Sequence, residues 1–107
     1  MPKFDWDPTK SNPNKTKHGI DFDQAKEVFE DPNAIVDQAK KVKGEERFLA
    51  IGKTLKLFLI SVVFTIRNAS IRIISARQAR KKEIKAYLTH SLNNATNDQT
   101  DENERSD

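Results

Sequence analysis

The stretch KLFLISVVFTIR, residues 56–67, decides the fold that this sequence predicts. Its β-branched and aromatic residues are typical of a buried β-strand, in which successive side chains point to opposite faces. We expect one face to form the core beneath the helices, and this face carries Phe58, Ile60, Val62, Phe64 and Ile66. The opposite face becomes polar towards its end, and it carries Leu57, Leu59, Ser61, Val63, Thr65 and Arg67.

Three further runs have the same β-branched and aromatic character: AIVDQ at 34–38, ERFLAIGK at 46–53 and SIRIISARQ at 70–78. Short polar connections separate the four runs, as they do in an antiparallel meander. A shorter segment, KFDW at 3–6, also fits a strand. The sequence therefore predicts a sheet that is built mostly from its middle and later parts.

Two helices are predicted ahead of the meander. Asn12 is a good N-cap for a short helix over 13–18, and Gly19 is typical of a helix end. Asp21 and Gln24 have the spacing of a capping box, and apolar residues follow at helical intervals. The chain thus enters the sheet through two consecutive short helices.

The second helix is expected to end at Asp31, because the residue before a proline avoids the α-helical region. A last helix is predicted over about 77–90, and it is rich in arginine and lysine. The expected fold class is α+β: a small domain with N-terminal helices, an antiparallel β-sheet and a basic C-terminal helix.

The formal net charge of +3 conceals an asymmetry along the chain. Residues 91–107 hold five acidic side chains and one arginine, a net charge of −4, so residues 1–90 carry +7. The acidic segment has no aromatic residue and is predicted to be a disordered tail. The basic segment is predicted to be one domain, whose charge favours an anionic partner such as nucleic acid.

Several classes of function are disfavoured by composition. The chain has no cysteine, which excludes thiolate metal sites and disulfides. Its two histidines, His18 and His90, have no carboxylates around them at metal-site spacing, so neither a metal nor another cofactor is expected. No apolar run is long enough to span a membrane, and the charged opening MPKFDWDPTK lacks the character of a secretory signal. We expect a cytoplasmic protein.

A set of motifs in a fixed order resembles the BrnT toxin family. The motifs are FDWDPTKSNPNKTKHGIDFDQAKEVFEDP, GEERFLAIGK, VVFTIR, IRIISARQA and KKEIKAY, which together reach from Phe4 to Tyr87. The resemblance makes residues 1–90 a BrnT-like toxin domain and leaves the acidic tail, 91–107, outside it. Two departures are visible: the loop QAKKVKGEER lacks a histidine that many relatives carry, and Pro13 stands where relatives continue a longer helix.

The resemblance implies a RelE-like fold and a ribonuclease toxin of a type II toxin–antitoxin pair. It further implies a BrnA-like antitoxin with a ribbon-helix-helix domain, in assemblies of two copies of each protein. RNA would be the substrate, and DNA would be bound through the antitoxin. The alternative is a non-catalytic nucleic-acid-binding or regulatory module that acts mainly in a toxin–antitoxin complex at DNA.

RNA cleavage without a metal needs groups that move protons at the 2′-hydroxyl and the 5′-oxygen, and fixed cations around the phosphorane. Histidine is the side chain that changes charge near neutral pH, which makes His18 a candidate, with Lys17 beside it. The same pair lies just before Gly19, where cations suit the end of a helix. Both interpretations are retained: the pair ends a helix and lines the RNA site.

Three further residues complete the predicted catalytic set. Arg77 would open the basic helix, where a cation opposes the helix dipole, and this position favours a functional role. Arg67, at the polar end of its strand, is either a partner of Arg77 or a solvated charge at a hairpin end. Glu46 is either a general base or half of a salt bridge.

The remaining cations are predicted to bind RNA phosphates: Arg47, Arg72, Arg80, Lys81 and Lys82. Arg72 lies within the apolar run IRII, where a guanidinium is costly unless it is paired. Its alternative role is a structural ion pair, with Glu46 as the suggested partner. The basic helix is open to two partners as well, because its cations suit RNA phosphates or an acidic antitoxin surface.

Overall fold

The computed structural model describes residues 2–106 of the chain, and it describes the side-chain surroundings of residues 2–94. Within this part the strands are β1 (Lys3–Trp6), β2 (Ile35–Val42), β3 (Glu45–Lys53), β4 (Leu59–Arg67) and β5 (Ser70–Gln78). The helices are α1 (Ser11–His18), α2 (Phe22–Ala25), a 3₁₀ helix (Lys26–Glu30) and α3 (Lys81–Ser106). No helix in the described part is both long enough and apolar enough to cross a bilayer.

The strands form one sheet in the order β1-β5-β4-β3-β2. The predicted meander is confirmed, because β2 to β5 pair consecutively and antiparallel. The prediction of a wholly antiparallel sheet is wrong, since β1 lies parallel to β5, with Lys3 opposite Ser70 and Trp6 opposite Ile73. β1 and β5 are separated by most of the chain, so no tight turn constrains them to run in opposite directions.

The core lies between one face of the sheet and the layer formed by α2 and the 3₁₀ helix. Of the predicted core face of β4, Ile60, Val62 and Phe64 are buried as expected. Phe58 and Ile66 are 57% and 52% exposed, so their predicted burial is wrong. β4 begins only after Phe58, and Ile66 lies at the far end of β4, near the turn that leads into β5.

Aromatic packing joins the core to the sheet. Phe29 meets Phe64 edge-on, with 5.0 Å between ring centroids, and Phe48 lies 5.4 Å from Phe64. Such tilted and edge-on pairs are favourable beyond their buried area. From the helices, Phe22 and Val28 are fully buried against the same sheet face.

The predicted capping box is confirmed. The Asp21 carboxylate accepts from the Gln24 N–H at 2.8 Å, and the Gln24 side chain accepts from the Asp21 N–H at 3.3 Å. The helix that it opens has one α-helical turn and continues as a 3₁₀ helix to Glu30, just before Asp31. Tight 3₁₀ geometry is common where a short helix is about to end.

The predicted ends of α1 are confirmed in part. Gly19 ends the helix as predicted, in the left-handed conformation (φ 77°), and its N–H donates to the Lys15 carbonyl. The predicted N-cap at Asn12 is wrong, because the helix begins at Ser11 with Lys10 in the capping position. The Ser11 hydroxyl instead accepts from the Phe22 N–H at 3.0 Å, which ties α1 to α2.

The last helix begins later than predicted. β5 continues to Gln78 and α3 begins at Lys81, so Arg77 belongs to a strand and does not open the helix. The predicted acidic tail, residues 91–107, falls on the later part of α3 and beyond. Its side chains from residue 95 onward lie outside the described part, and the division of the chain near residue 90 stays a prediction.

A buried asparagine attaches α1 to the edge of β5. The Asn14 amide donates to the carbonyls of Ile20 (2.7 Å) and Ala76 (2.9 Å), and its oxygen accepts from the Ala76 N–H (3.2 Å). The pairing of β1 with β5 ends at Ile73. The Asn14 side chain therefore takes the place of a strand neighbour at Ala76, beyond the end of β1.

We expect the substitution Asn14→Ala to lower the free energy of unfolding by about 2–4 kcal/mol, because it leaves several buried backbone groups without partners. Chemical denaturation measures the difference. Asn12→Ala, at an exposed position of the same helix, is the control and should cost less than about 0.5 kcal/mol. Equal losses for the two variants would contradict the proposed attachment.

Candidate active site

A bulge in β5 determines which side chains share the second face of the sheet, opposite the core. Arg72 pairs with Thr65 of β4, and Ser75 pairs with Val63, so the register skips Ile74. A bulge of this kind resets the alternation of side chains along a strand. Arg72 and Ser75 therefore lie on one face although they are three residues apart.

At one end of this face an open hollow of about 330 Å³ is bordered mainly by cations. We call it the arginine hollow, and its residues are Asp7, Lys10, Arg47, Arg67, Arg72, Ile73 and Ile74. Three predicted site residues thus come together, one each from β3, β4 and β5. Their guanidinium groups give this end of the face the fixed positive charge that an anionic ligand needs.

Carboxylates hold these arginines in place. Arg72 Nη1 donates to Asp5 at 2.6 Å, and Arg67 donates to Glu45 through Nε and Nη2 at 2.8 and 3.1 Å. The hydrogen bond from Arg67 lowers the pKa of Glu45 and keeps it ionised. Arg47 approaches Glu45 at 3.8 Å, and its buried Nε has no hydrogen-bond partner. The hollow is therefore preorganised and partly neutralised, with one donor unused.

The suggested ion pair of Arg72 with Glu46 is wrong, because the partner of Arg72 is Asp5 on β1. Glu46 is exposed and lies 4.0 Å from Lys41, a weak surface contact. It lines neither this hollow nor the one next to it. The structure therefore does not bring Glu46 to the other predicted catalytic residues.

A second hollow, of about 220 Å³, adjoins the first. We call it the histidine hollow, and it is lined by Lys10, Pro13, Asn14, Lys17, His18, Ile74 and Ser75. Lys10 and Ile74 border both hollows. Because Asn14 fixes α1 to β5, the last turn of α1 is held beside Ser75. Lys17 and His18 therefore face a cavity as well as ending a helix.

Within the described side chains, Lys10 and Lys17 form no ion pair with a carboxylate, in contrast to the arginines. Their ammonium groups are therefore available to a ligand.

Lys10 and Ser75 were not predicted from the sequence. A signal for Lys10 was present, because residues 10, 14 and 17 fall on one face at helical spacing. Nothing local distinguishes Ser75.

The structure places Arg77 in a different setting. It makes two hydrogen bonds of 2.8 Å to the carboxylate of Glu83, which also accepts from the Ser61 hydroxyl and the Arg80 N–H. The Arg77 hydrogen bonds, against the opposing effect of burial, lower the pKa of Glu83 to about 2. This cluster fastens the first turn of α3 to β4 and β5.

The other predicted phosphate ligands lie at the start of α3: Arg80 just before the helix, and Lys81 and Lys82 in its first turn. All three are exposed, and none lines either hollow. The structure therefore separates them from His18. They belong to a basic surface on the helix.

Tyr87, one turn after Glu83, attaches α3 to the rest of the domain. It is 2% exposed, and its hydroxyl donates to Asp31 at 2.7 Å. Burial, and then this hydrogen bond, raises the pKa of Tyr87 to about 12. Burial opposes ionisation of Asp31, yet hydrogen bonds from Lys53, Tyr87 and Asn33 together lower its pKa. Tyr87 is a packing residue and does not present a stacking surface.

The two hollows together make a continuous cationic surface with one imidazole at its end. Among the described residues no group of three histidine or acidic side chains is arranged to hold a metal ion. Arginines suit phosphates, and a histidine that shares a hollow with two lysines suits proton transfer at a phosphodiester. Fold and site define a small α+β protein with a cationic hollow on one face of its sheet.

Comparison with known proteins identifies the family. Residues 6–83 match the family described as the ribonuclease toxin, BrnT, of type II toxin–antitoxin systems. The 1.1 Å crystal structure of the Brucella abortus ribonuclease toxin BrnT is similar at 30% identity and a TM-score of 0.59, over 76% of this chain and 100% of that chain. A comparison with curated proteins gave no match. This chain belongs to the BrnT ribonuclease toxin family, as its motifs predicted.

Proposed function

We propose that this chain is the toxin of a type II toxin–antitoxin pair and that it is a metal-independent endoribonuclease of RelE-like type. Its place of action would be the cytoplasm, where RNA and an antitoxin are both present. The observation that carries the proposal is that His18 shares one hollow with two lysines, Lys10 and Lys17, that have no ion pair among the described side chains. Membership of a ribonuclease toxin family supports the same reaction.

In the proposed reaction the RNA supplies its own nucleophile. The neutral imidazole of His18 accepts the proton of the 2′-hydroxyl, whose oxygen attacks the adjacent phosphorus. Lys10 and Lys17 stabilise the charge of the phosphorane, and Lys17 donates the proton that the departing 5′-oxygen takes up. The P–O5′ bond breaks, and the products are a 2′,3′-cyclic phosphate and a 5′-hydroxyl. Each step uses only groups of the RNA and of the histidine hollow.

The arginine hollow would hold a neighbouring phosphate of the same RNA. Arg47 and Arg72 are fixed on the sheet, and the unused Nε of Arg47 is a donor for which a phosphate oxygen is a suitable acceptor. Arg67, bound to Glu45, would support the same subsite. Ion pairs that fix a guanidinium reduce the entropy lost when a ligand binds.

Other predicted residues receive different roles in this proposal. Arg77 becomes a positioning residue, because it fastens α3 through Glu83 and lines neither hollow. Glu46 keeps its predicted role as a general base only as a hypothesis from the sequence.

We further propose that the partner of this chain is a BrnA-like antitoxin with a ribbon-helix-helix domain. The assembly would hold two copies of each chain, and DNA would be bound through the antitoxin.

We expect the purified protein to cleave RNA in the presence of EDTA, and Lys17→Ala to slow cleavage by at least about 10²-fold, because it removes a cation at the phosphorane and the proton donor for the 5′-oxygen. The control is Lys15→Ala on the same helix, because Lys15 lies 4.0 Å from Asp21 and lines neither hollow. Gel analysis of a labelled RNA measures both. Cleavage that needs an added divalent ion, or equal losses for the two variants, would overturn the proposed mechanism.

One observation favours the alternative of a non-catalytic nucleic-acid-binding or regulatory module. Arg67 and Arg72 are already bound to carboxylates, which reduces the charge available for a tightly held phosphorane. Such a module would bind RNA or DNA with an affinity that falls steeply with salt, and it would leave the nucleic acid intact. Binding and cleavage measured on the same labelled RNA separate the two functions.

A further inference from the structure

The outer face of α3 carries an apolar row with no described partner. Ile84, Leu88 and Leu92 follow one another at intervals of four residues, which places them on one side of the helix. Leu88 is 52% exposed and Leu92 is 67% exposed. Together with Lys81, Lys85 and Thr89 they line a shallow hollow of about 370 Å³, which we call the α3 groove.

Among the side chains that the structure describes, the charges that line the α3 groove are of one sign. Lys81 and Lys85 line it, and Arg80 and Lys82 are exposed on the same turn of the chain. The one acidic residue between positions 80 and 94, Glu83, is bound to Arg77. A ligand of this groove therefore needs an apolar ridge to cover the leucines and negative charges to meet the lysines.

We propose that the α3 groove docks an acidic amphipathic helix of the cognate antitoxin, and that it determines which antitoxin this chain accepts. The inference rests on the proposed function for the existence of the antitoxin. Helix-in-groove recognition uses apolar residues at intervals of three and four, which is the spacing that the groove presents. Acidic flanking residues on the antitoxin would add charge complementarity and exclude partners with basic flanks.

RNA fits this groove less well than a helix does. Single-stranded RNA is held by aromatic stacking together with backbone cations, and the groove is lined by aliphatic side chains without an aromatic ring. The groove also lies apart from the hollows that contain His18 and the strand arginines. Leucines that remain exposed on a charged helix are better explained by a protein partner.

The position of the α3 groove in the chain supports a role in pair specificity. The family match ends at Glu83 and the KKEIKAY motif ends at Tyr87, so Leu88 and Leu92 lie outside both. The residues that we assign to RNA cleavage all lie inside the match, from Lys10 to Ser75. Changes in the groove can therefore alter partner choice without disturbing the chemistry.

The test measures affinity for the purified antitoxin encoded beside the gene for this chain. We expect Leu88→Gln/Leu92→Gln to weaken binding by roughly 10–100-fold, because two large apolar side chains lose their burial. The matched control is Leu55→Gln/Leu57→Gln, which changes two leucines that are 72% and 73% exposed in the loop after β3. RNA cleavage by both double variants should equal that of the wild type.

The electrostatic contribution to antitoxin binding is tested with a separate variant and control. Lys85→Glu should weaken antitoxin binding by roughly 10-fold at low salt, and the effect should shrink as salt increases. The loss caused by the leucine variant should persist at high salt, because apolar burial is not screened. Lys56→Glu, at an exposed lysine of the loop after β3, should bind like the wild type.

Each failure has a distinct meaning. If the wild type binds the antitoxin and the leucine variant binds equally well, the docking proposal is overturned while the proposed ribonuclease stands. Weaker binding by the Leu55/Leu57 control alone would move the interface to the loop after β3. If the wild type alone is a dimer that Leu88→Gln/Leu92→Gln converts to a monomer, the groove pairs two toxin copies and the proposal is overturned. An absence of antitoxin binding by the wild type refutes both the docking site and the proposed partner, whereas RNA cleavage tests the enzyme separately.

Discussion

Substitution of His18 by alanine is expected to reduce RNA cleavage by about 10²–10⁴-fold, the usual contribution of a general acid or base. His18 lines the same hollow as Lys10, Lys17 and Ser75, and it is the imidazole within the family match. Single-turnover cleavage of a labelled RNA in EDTA measures the loss. The affinity for the same RNA should fall much less, because the arginine hollow is intact.

The chain contains a natural control for this experiment. Its other histidine, His90, is exposed on α3, where its ring nitrogen contacts the Asn94 amide at 3.2 Å. His90→Ala should cleave like the wild type. His18→Gln, which keeps a polar side chain at the end of α1, should be as inactive as His18→Ala and should unfold at the wild-type temperature. Cleavage by both His18 variants at the wild-type rate would show that His18 ends the helix α1 and does not take part in cleavage.

The second large effect concerns stability. Arg77→Ala and Glu83→Gln are each expected to lower the free energy of unfolding by about 2–3 kcal/mol, because each leaves a largely buried partner without its ion pair. The two side chains are 24% and 15% exposed, so solvent weakens the pair less than it weakens a surface salt bridge. A double-mutant cycle in urea should give a coupling energy of about 2 kcal/mol.

An exposed ion pair of the same chain is the control. Lys26 lies 3.6 Å from Asp23, with 45% and 74% of the side chains exposed, and Asp23→Asn should cost less than about 0.5 kcal/mol. At a temperature where Arg77→Ala is folded, its cleavage rate should fall less than 10-fold, as suits a positioning residue. A loss as large as that of His18→Ala would restore the catalytic role that the sequence predicts for Arg77.

The same ion pair makes stability depend on pH. The pKa of Glu83 is about 2 in the folded chain and 4.5 in an unperturbed glutamate. As the pH falls, Glu83 is therefore protonated in the unfolded state before it is protonated in the folded state. The stabilisation is therefore complete above about pH 4.5 and is lost as the pH falls towards 2. The difference in unfolding free energy between the wild type and Glu83→Gln should shrink over that interval. A constant difference from pH 6 to pH 3 would exclude ionised Glu83 as its source.

Much of the local structure could be predicted because its causes are local. Runs of β-branched and aromatic residues specified β3, β4 and β5, and the capping box at Asp21 and the left-handed Gly19 specified helix ends. The family was also readable from ordered motifs. The candidate pair Lys17-His18 was found for the same reason, since histidine chemistry depends on the residue type.

The tertiary structure decided which residues come together at the candidate site. The parallel pairing of β1 brings Asp5 to Arg72 across 67 positions, and Asn14 attaches α1 to β5 across 62 positions. The bulge at Ile74 then places Arg72 and Ser75 on one face. These arrangements depend on burial and register between distant segments, which no short stretch of sequence specifies. The sequence by itself determined the strands, the helix ends and the imidazole. Packing of distant segments determined that Lys10 and Ser75 line the same hollow as His18, and that Arg77 fastens a helix through Glu83.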